Sequence, residues 1–247
     1  MFDVQKASMW KRISAALFDG ILIAIVAVGA VLLLSSLFGY DAYAAQLEQA
    51  YAAYEEQYDV KLSITAEQYA ELTEAERQRY DEALQAFSTD EEINRIYGLM
   101  FHYTVLMLVF GILASFLILE FLIPLLLGNG QTLGKKIFGI GVMRVDGVKL
   151  SPLLLFARAV LGKYTVETML PILIIVMIYF NAMGIVGVML IGALAVFQLV
   201  LLVSSPLRTP IHDRLAQTVA VDFAAQLIFD SDEALRAYQK EYNESKE

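Results

Sequence analysis

The chain has 247 residues, of which 58% are hydrophobic, and its formal net charge is −9. Its mean hydropathy of +0.58 excludes an ordinary soluble domain, since such domains are only about 45–50% apolar. Cysteine is absent from the sequence, so disulfides, thiol catalysis and thiolate metal sites are excluded.

The first apolar run covers residues 13–38. It is longer than the roughly 7–15 residues of a signal-peptide core, so we expect a retained signal anchor that spans the membrane. Arg12 lies at its start and Asp19 lies inside it. A charge at the centre of a bilayer helix costs roughly 2.5–3.5 kcal/mol, so these side chains should face a partner, a cavity or a pathway. Arg12 would pair with Asp213 or Glu120 from other helices, or extend to lipid head groups.

The connector 39–98 contains 14 acidic and 4 basic residues. Because short basic loops remain cytoplasmic, we place this acidic connector outside the cell. Apolar residues spaced by three and four predict a helix in it: Ala44, Leu47, Tyr51, Tyr54 and Tyr58. Thr65, Thr73 and Thr89 each begin a capping-box pattern, and the last helix should run from about Asp90 into the second span. We interpret the tyrosines as core and interfacial anchors; a ligand or partner surface is the alternative.

The second apolar run covers residues 99–127 and contains Glu120. Spans one and two run in opposite directions, so Asp19 and Glu120 should each lie about 10 Å from the cytoplasmic end of the bundle. If these faces pack together, the two carboxylates share one site. Such a site would hold a cation, a shared proton or an arginine.

The segment 128–166 is basic and is expected to be a cytoplasmic loop. Apolar residues on either side of Asp146-Gly147 predict a small hairpin on a type I′ turn. Ser151-Pro152 then begins a helix whose apolar and basic residues predict a position in the membrane interface. Arg158 on this helix is the other base that could reach the level of the two acids. The glycine-rich start of the loop lacks P-loop spacing, so phosphate binding is not expected.

The uncharged stretch 168–205 is too long for a single crossing. Residues 181–184 are turn-like, so helices are predicted at about 167–181 and 184–204, the first of them short enough to require tilt or bilayer thinning. Two crossings leave all the basic segments and both termini in the cytoplasm. A three-span chain with an external C-terminus is the alternative.

The histidines suggest no catalytic site. His102 and His212 are the only two, whereas a structural zinc site needs four nitrogen or sulfur ligands. His212 beside Asp213 could form a triad with Ser204 or Ser205, but serines at a helix end more commonly act as caps. We therefore expect no enzyme activity, no metal site and no cofactor.

Three ordered motifs resemble the RDD family of bacterial membrane proteins. They are RISAALFD at 12–19, GQTLGKKIFGI at 130–140 and HDRLAQT at 212–218. The resemblance covers about three-quarters of the chain. It matches the family's arginine and first aspartate to Arg12 and Asp19, and the second aspartate to Asp213. The inner-loop motif supplies Gly130, Gln131, Gly134 and Lys135.

The resemblance implies a multi-pass membrane protein with a proposed transport role, and sodium–proton exchange is suggested for some members. This chain departs from the family pattern in two places. The closing motif usually has glycine where Gln217 stands. The connector 39–98 is longer than usual, so the resemblance implies nothing about it.

We therefore predict an all-α, polytopic helical membrane protein with four transmembrane helices, a helical extracytoplasmic insertion and a small cytoplasmic hairpin. The predicted segments are 1–38, the cytoplasmic N-terminus and span one; 39–98, the acidic insertion; 99–127, span two; 128–166, the cytoplasmic loop with hairpin and interfacial helix; 167–205, spans three and four; and 206–247, the cytoplasmic motif and polar tail.

The preferred function is secondary transport of a cation across the cell membrane, of the Na⁺/H⁺ exchange type. Asp19 and Glu120 would carry the cation or proton, Arg12 would set their charge balance, and Asp213 would gate or anchor the cytoplasmic end. The alternative is a non-transporting membrane scaffold or adaptor, in which the buried charges are structural and the outer helices bind protein partners. The expected partners are membrane lipid, monovalent cations, protons and a second copy of the chain in a homo-oligomer, with no nucleic acid.

Overall fold

The computed structural model describes residues 4–244. Within them, four helices are long and apolar enough to cross a membrane. These are span one, Met9–Phe38; span two, Glu91–Leu127; span three, Pro152–Tyr179; and span four, Gly184–Ser204. The predicted helical, four-span fold class is confirmed. The parts of segments 1–38 and 206–247 that fall on residues 1–3 and 245–247 lie outside the described residues.

The elements follow one another in this order: α1 (Met9–Phe38), α2 (Tyr40–Tyr58), α3 (Ala66–Glu71), α4 (Glu74–Thr89), α5 (Glu91–Phe116), the π-helical segment π1 (Leu117–Leu122), α6 (Ile123–Leu127), α7 (Leu133–Ile137), β1 (Ile140–Arg144), α8 (Pro152–Phe156), the π-helical segment π2 (Ala157–Met169), α9 (Leu170–Tyr179), α10 (Gly184–Ser204), α11 (Ile211–Leu215), β2 (Thr218–Asp222) and α12 (Asp232–Glu244). Span two therefore consists of α5, π1 and α6, and span three of α8, π2 and α9.

Span three begins earlier than the sequence suggested. The predicted interfacial helix and the predicted span at 167–181 form one continuous helix, Pro152–Tyr179. Ser151 caps its start, as predicted. The division into two helices is nevertheless wrong. Arg158 and Lys163 need no place in the interface, because acids on other elements neutralise them.

The pairing of β1 differs from the predicted hairpin. β1 pairs antiparallel with β2, with Ile140 opposite Asp222. A tight turn does form here, since Gly147 N donates to Arg144 O at 3.0 Å and Arg144 N donates to Val148 O at 2.8 Å. A type I′ turn requires positive φ at both central residues, and neither Val145 nor Asp146 has it, whereas Gly147 after them has φ of 96°. The prediction is therefore wrong in the turn type and in the strand partner, because β1 pairs along its length with the distant β2 and locally only through Arg144 and Val148.

The start of the chain adds to the same sheet on the other side of β2. Ala7 N donates to Ala220 O at 3.3 Å, and Asp222 N donates to Gln5 O at 2.8 Å. β2 therefore lies between β1 and the residues that precede span one. This small sheet joins three parts of the chain that are far apart in sequence.

The chain divides into two compact units. The first contains the described residues up to Val28 and from Gly111 onward, and the second is Gly29–Phe110. The core of the second unit consists of Leu62, Ala83, Phe87 and Ile93, and Leu47, Tyr51, Tyr54 and Tyr58 of the predicted stripe pack against it. The tyrosines on this stripe are therefore partly buried packing residues of this core, which agrees with the interpretation from the sequence.

The helix caps of the second unit largely follow the sequence. The capping boxes at Thr65 and Thr73 both form. The third predicted box is wrong, because Asp90 rather than Thr89 caps α5. The carboxylate of Asp90 accepts hydrogen bonds from Glu92 N at 2.8 Å and from the next backbone N–H at 3.0 Å.

Gln217 precedes β2 in the left-handed conformation, with φ of 52°. Its carbonyl accepts a hydrogen bond from Val145 N at 3.0 Å. A residue with a Cβ loses roughly 1–2 kcal/mol in this conformation, whereas glycine adopts it without strain. This geometry explains why glycine suits this position of the closing motif.

Gln217→Gly is therefore expected to increase the free energy of unfolding by about 1 kcal/mol, as relief of strain exceeds the added flexibility of the unfolded chain. Thermal unfolding in detergent micelles measures the resulting rise in Tm. Gln217→Ala keeps the Cβ and is the matched control, for which no rise is expected. Equal Tm shifts for the two variants would exclude backbone strain as the cause.

Candidate functional site

A cavity of about 420 Å³ lies in the first unit. Ionisable side chains from three spans, α7 and α11 line it: Asp19, Glu120, Glu167, Asp213, Arg12, Lys135, Arg158, Lys163 and His212. Four acids thus face four bases and one histidine. A volume in this range accommodates a small ligand or an ion that keeps some of its water.

Asp213 is the most enclosed of these acids, with 1% of its surface exposed. Its Oδ1 accepts hydrogen bonds from Arg158 Nε at 2.8 Å and from Thr218 Oγ1 at 2.7 Å. Arg12 Nη2 lies 3.8 Å from Oδ2, so Arg12 meets one of its two predicted partners. Burial alone would raise the pKa of Asp213, but Arg158, His212 and Thr218 hold that pKa below its usual range.

His212 ties α11 to spans three and four. Its backbone N donates to Glu167 Oε1 at 3.0 Å, and its ring Nδ1 lies 2.8 Å from Glu167 Oε2. Gln198 Nε2 donates to Glu167 Oε1 at 2.9 Å, and Gln198 Oε1 accepts from Ile211 N at 3.2 Å. Burial lowers the pKa of His212, and a neutral ring facing this carboxylate carries its proton on Nδ1. A Cβ on Gly162 would lie 2.5 Å from His212 Cβ, so only glycine permits this approach.

Asp19 holds the loop that follows span two. Its Oδ2 accepts a hydrogen bond from Thr132 Oγ1 at 2.5 Å, and its Oδ1 accepts one from Gly134 N at 2.7 Å. The approach is close, because a Cβ on Gly134 would lie 2.5 Å from Ala15 O. Thr132 also caps α7. Both carboxylate oxygens of Asp19 are therefore engaged by donors of the protein itself.

Only one of the two carboxylate oxygens of Glu120 has a hydrogen-bond partner among the described residues. Its Oε1 accepts a hydrogen bond from Lys163 Nζ. Glu120 is only 3% exposed, and its Oε2 is buried with no hydrogen-bond partner among the described residues. Buried polar atoms are nearly always hydrogen-bonded. Oε2 is therefore the acceptor in this network that calls for a ligand, a water or a proton.

Lys135 is a buried base on α7, 9% exposed. Its Nζ donates to Thr132 Oγ1 at 3.2 Å and lies 3.9 Å from Asp19 Oδ2. Burial, together with the charge of Lys163, lowers the pKa of Lys135 to about 7, although Glu120 and Asp19 oppose the shift. Near neutral pH this side chain is therefore close to its point of half-protonation.

The charged residues by which spans two and three line the cavity lie on π-helical turns. Glu120 belongs to π1, and Arg158, Lys163 and Glu167 belong to π2. The hydroxyl of Thr168 donates to Lys163 O at 2.9 Å and so satisfies a carbonyl in this segment. π-Helical turns are rare and frequently occur at functional sites. Their position coincides here with the cavity.

The cavity brings together all five residues of the predicted charge network, which are Arg12, Asp19, Glu120, Arg158 and Asp213. Asp19 and Glu120 both line it. Their described bonds differ, because Asp19 is held by Thr132 and Gly134 whereas Glu120 is held by Lys163.

The inner-loop motif serves two purposes. Gly134 and Lys135 belong to the network just described. Gln131 Nε2 donates to Ile140 O at 2.7 Å and so joins the loop to β1. Gly130 has φ of 68°, which favours glycine. Gly130 and Gln131 therefore position the loop that carries Gly134 and Lys135.

Sequence reasoning missed the place of Lys163, Glu167 and His212 in the charge network. Arg158, Lys163 and Glu167 recur at spacings of five and four residues, which is a repeat that one face of a π-helix can present. That spacing could have indicated a buried charged face. The hydroxyl of Ser205, one of the two serines considered for a triad, accepts a hydrogen bond from Thr209 N at 3.0 Å, whereas the ring of His212 faces Glu167 and Asp213.

Within residues 4–244, no three or more histidine, aspartate or glutamate side chains are arranged to hold a metal ion. Four long apolar helices around a buried network of acid–base pairs define an integral membrane protein with a polar interior. The sequence model of the RDD family matches residues 6–217. The chain belongs to the RDD family. Comparison with curated proteins and with solved structures found no match.

Proposed function

We propose that this RDD family protein is a secondary transporter that binds a monovalent cation beside Glu120 and exchanges it for protons. The observation that carries the proposal is Glu120 Oε2, a buried carboxylate oxygen with no hydrogen-bond partner among the described residues, on a residue that lines the cavity. A cation or a proton supplies what this oxygen lacks. Ionisable residues inside membrane spans commonly mark ion pathways.

The other acids have positioning roles in this proposal. Asp19 uses both oxygens to hold the loop before α7. Asp213, with Arg12 and Arg158, anchors α11 against span three. Among the described acids of the cavity, Glu120 is the one with a buried oxygen that lacks a hydrogen-bond partner, so it is the carrier. Arg12 sets the charge balance at Asp213.

A site with one carboxylate oxygen and room for water suits transport. Conduction and exchange require an ion to be held strongly enough to enter and weakly enough to leave. The cavity of about 420 Å³ lets a small cation keep part of its hydration. A tight cage of several carboxylates would instead trap the ion.

Glu120→Gln is expected to reduce cation flux by about tenfold or more, because the amide keeps the size of the side chain and removes its charge. The measurement is uptake of ²²Na⁺ into proteoliposomes against an imposed pH gradient. Glu92→Gln is the matched control, since Glu92 lies at the start of the same helix with 62% of its side chain exposed. That variant should transport at the wild-type rate.

Thermal unfolding of both variants in detergent separates loss of flux from loss of fold. Unchanged flux in a folded Glu120→Gln protein would rule out Glu120 as the carrier. Absence of flux in the wild type, over K⁺ and Li⁺ as well as Na⁺, would rule out cation exchange.

A scaffold or adaptor is the second candidate function, and the pairing of the charges favours it. Asp213 meets Arg158, Glu120 meets Lys163, and Glu167 meets His212. A purely structural role, in which the pairs hold the helices together, also accounts for them. On that reading, Glu120→Gln lowers Tm and the wild type shows no flux.

The proposal includes an orientation in the cell membrane. Basic residues in short loops favour the cytoplasm, which places the loop between spans two and three inside and the acidic insertion outside. Both termini are then cytoplasmic, and a homo-oligomer remains a prediction. Labelling of single introduced cysteines from either side tests this orientation without background, since the chain has no cysteine of its own.

A further inference from the structure

Lys135 is a buried ammonium with few bonds. Its described contacts are the hydrogen bond to Thr132 Oγ1 at 3.2 Å and the long ion pair to Asp19 Oδ2 at 3.9 Å. An ammonium has three donors, and a buried charge is stable only when it is well paired. Lys163 differs, because it donates directly to Glu120.

The charges that face Lys135 come from three other elements. They are Asp19 on α1, Glu120 on π1, and Arg158 and Lys163 on π2. Arg158 pairs with Asp213, which it shares with Arg12, and Glu167 faces the neutral ring of His212. The four acids and four bases that line the cavity therefore balance one another.

This balance limits what else the cavity can hold. A monovalent cation beside Glu120 Oε2 would leave one uncompensated positive charge in a region of low dielectric, which is unfavourable. Loss of one proton from the network restores neutrality. Lys163 is bonded to Glu120 and the guanidinium of Arg158 does not lose its proton. Lys135 is therefore the base that can release one.

We propose that Lys135 couples cation entry to proton release, so that its ammonium and the transported cation exclude one another. The N–H bond at Nζ breaks, the proton passes to water in the cavity, and the cation takes over the positive charge beside Glu120. The coupling is one proton for one monovalent cation and carries no net charge. This inference rests on the proposed function and adds its coupling residue. The pKa of about 7 for Lys135 agrees with it.

The first test uses the unmodified protein in detergent. Calorimetric titration with NaCl in buffers of different ionisation enthalpy counts the protons released for each cation bound. About one proton should be released at about pH 5.5, and close to none at about pH 9, where Lys135 is already neutral. The midpoint should lie near pH 7. Binding without proton release at the lower pH overturns the inference and leaves the proposed cation site intact.

Variants of Lys135 provide the second test. Lys135→Met should bind the cation with no proton release and no pH dependence. Lys135→Arg should lose about tenfold or more in affinity at every pH, because its charge is permanent. Lys136→Met, at the exposed neighbour, is the control and should behave as the wild type.

The outcomes for these variants distinguish an incorrect role for Lys135 from an incorrect proposed function. Wild-type proton release in a folded Lys135→Met protein overturns the role of Lys135. Absence of cation binding in both the wild type and Lys136→Met overturns the proposed function and this inference together. If Lys135→Met does not fold, proton counting on the wild type still decides the matter.

Discussion

Asp213→Asn is expected to destabilise the protein by about 3–5 kcal/mol, the cost typical of removing one member of a buried ion pair. Asparagine cannot neutralise Arg158, which is 3% exposed, or balance the charge of Arg12 nearby. It also weakens the hydrogen bond from Thr218. The consequence is that the buried Arg158 and the partly buried Arg12 lose the carboxylate they share.

Thermal unfolding in detergent measures the effect as a fall in Tm. Asp222→Asn is the matched control, because Asp222 pairs with Lys11 at 2.7 Å at a partly exposed position. Its loss should be at most about 1 kcal/mol. The gap between the two variants should persist across neutral pH, since the low pKa of Asp213 keeps its contribution complete there, and acid removes it only as pH falls through that pKa. Equal shifts in Tm would contradict a structural role for the Asp213 network.

Gly134→Ala is expected to destabilise the protein by about 3 kcal/mol or more, through overpacking and the loss of a charged hydrogen bond. The new Cβ would lie 2.5 Å from Ala15 O and 2.8 Å from Asp19 Oδ1. The first contact is with backbone, so α7 must move away from span one. That movement breaks the hydrogen bond from Gly134 N to Asp19.

Gly192→Ala on span four is the matched control for this variant. A Cβ there meets nothing within 4 Å, so Tm should stay the same or rise slightly. The measurement is again thermal unfolding in detergent, with protein yield after purification as a second readout. A stable Gly134→Ala protein would show that α7 can shift without loss, and that the close approach is not required.

The spans could be predicted because apolar length is a local signal. The start of span three could not be predicted. When the partners of Arg158, Lys163 and Glu167 are unknown, these charged residues indicate a position at the membrane interface. Those partners come from other parts of the chain: Asp213 from α11, Glu120 from span two and His212 from α11. Neutralisation across long sequence separations removes the reason for a charged helix to stay outside the bundle.

Five of the charged residues that line the cavity could be predicted, and so could the pairing of Arg12 with Asp213. The other pairings could not. Helix geometry placed Asp19 and Glu120 at one level, and both line the cavity. Which base or donor each acid meets depends on the path of the loop after span two, which brings Thr132 and Gly134 to Asp19. The partner of β1 was also missed because it is distant in sequence. The turn residues Asp146-Gly147 indicated a local partner strand, whereas β1 pairs with β2.

The sheet that joins β2 to the start of the chain has a consequence for biosynthesis. Arg12 emerges from the ribosome long before its partners, and 196 residues separate it from Arg208, whose carbonyl accepts a hydrogen bond from its Nη1 at 2.7 Å. The translocon must therefore accept span one with its charges unmatched. Folding is completed only after translation has passed Asp213 and β2. A nascent chain released before that point has an unpaired arginine at the start of its first span.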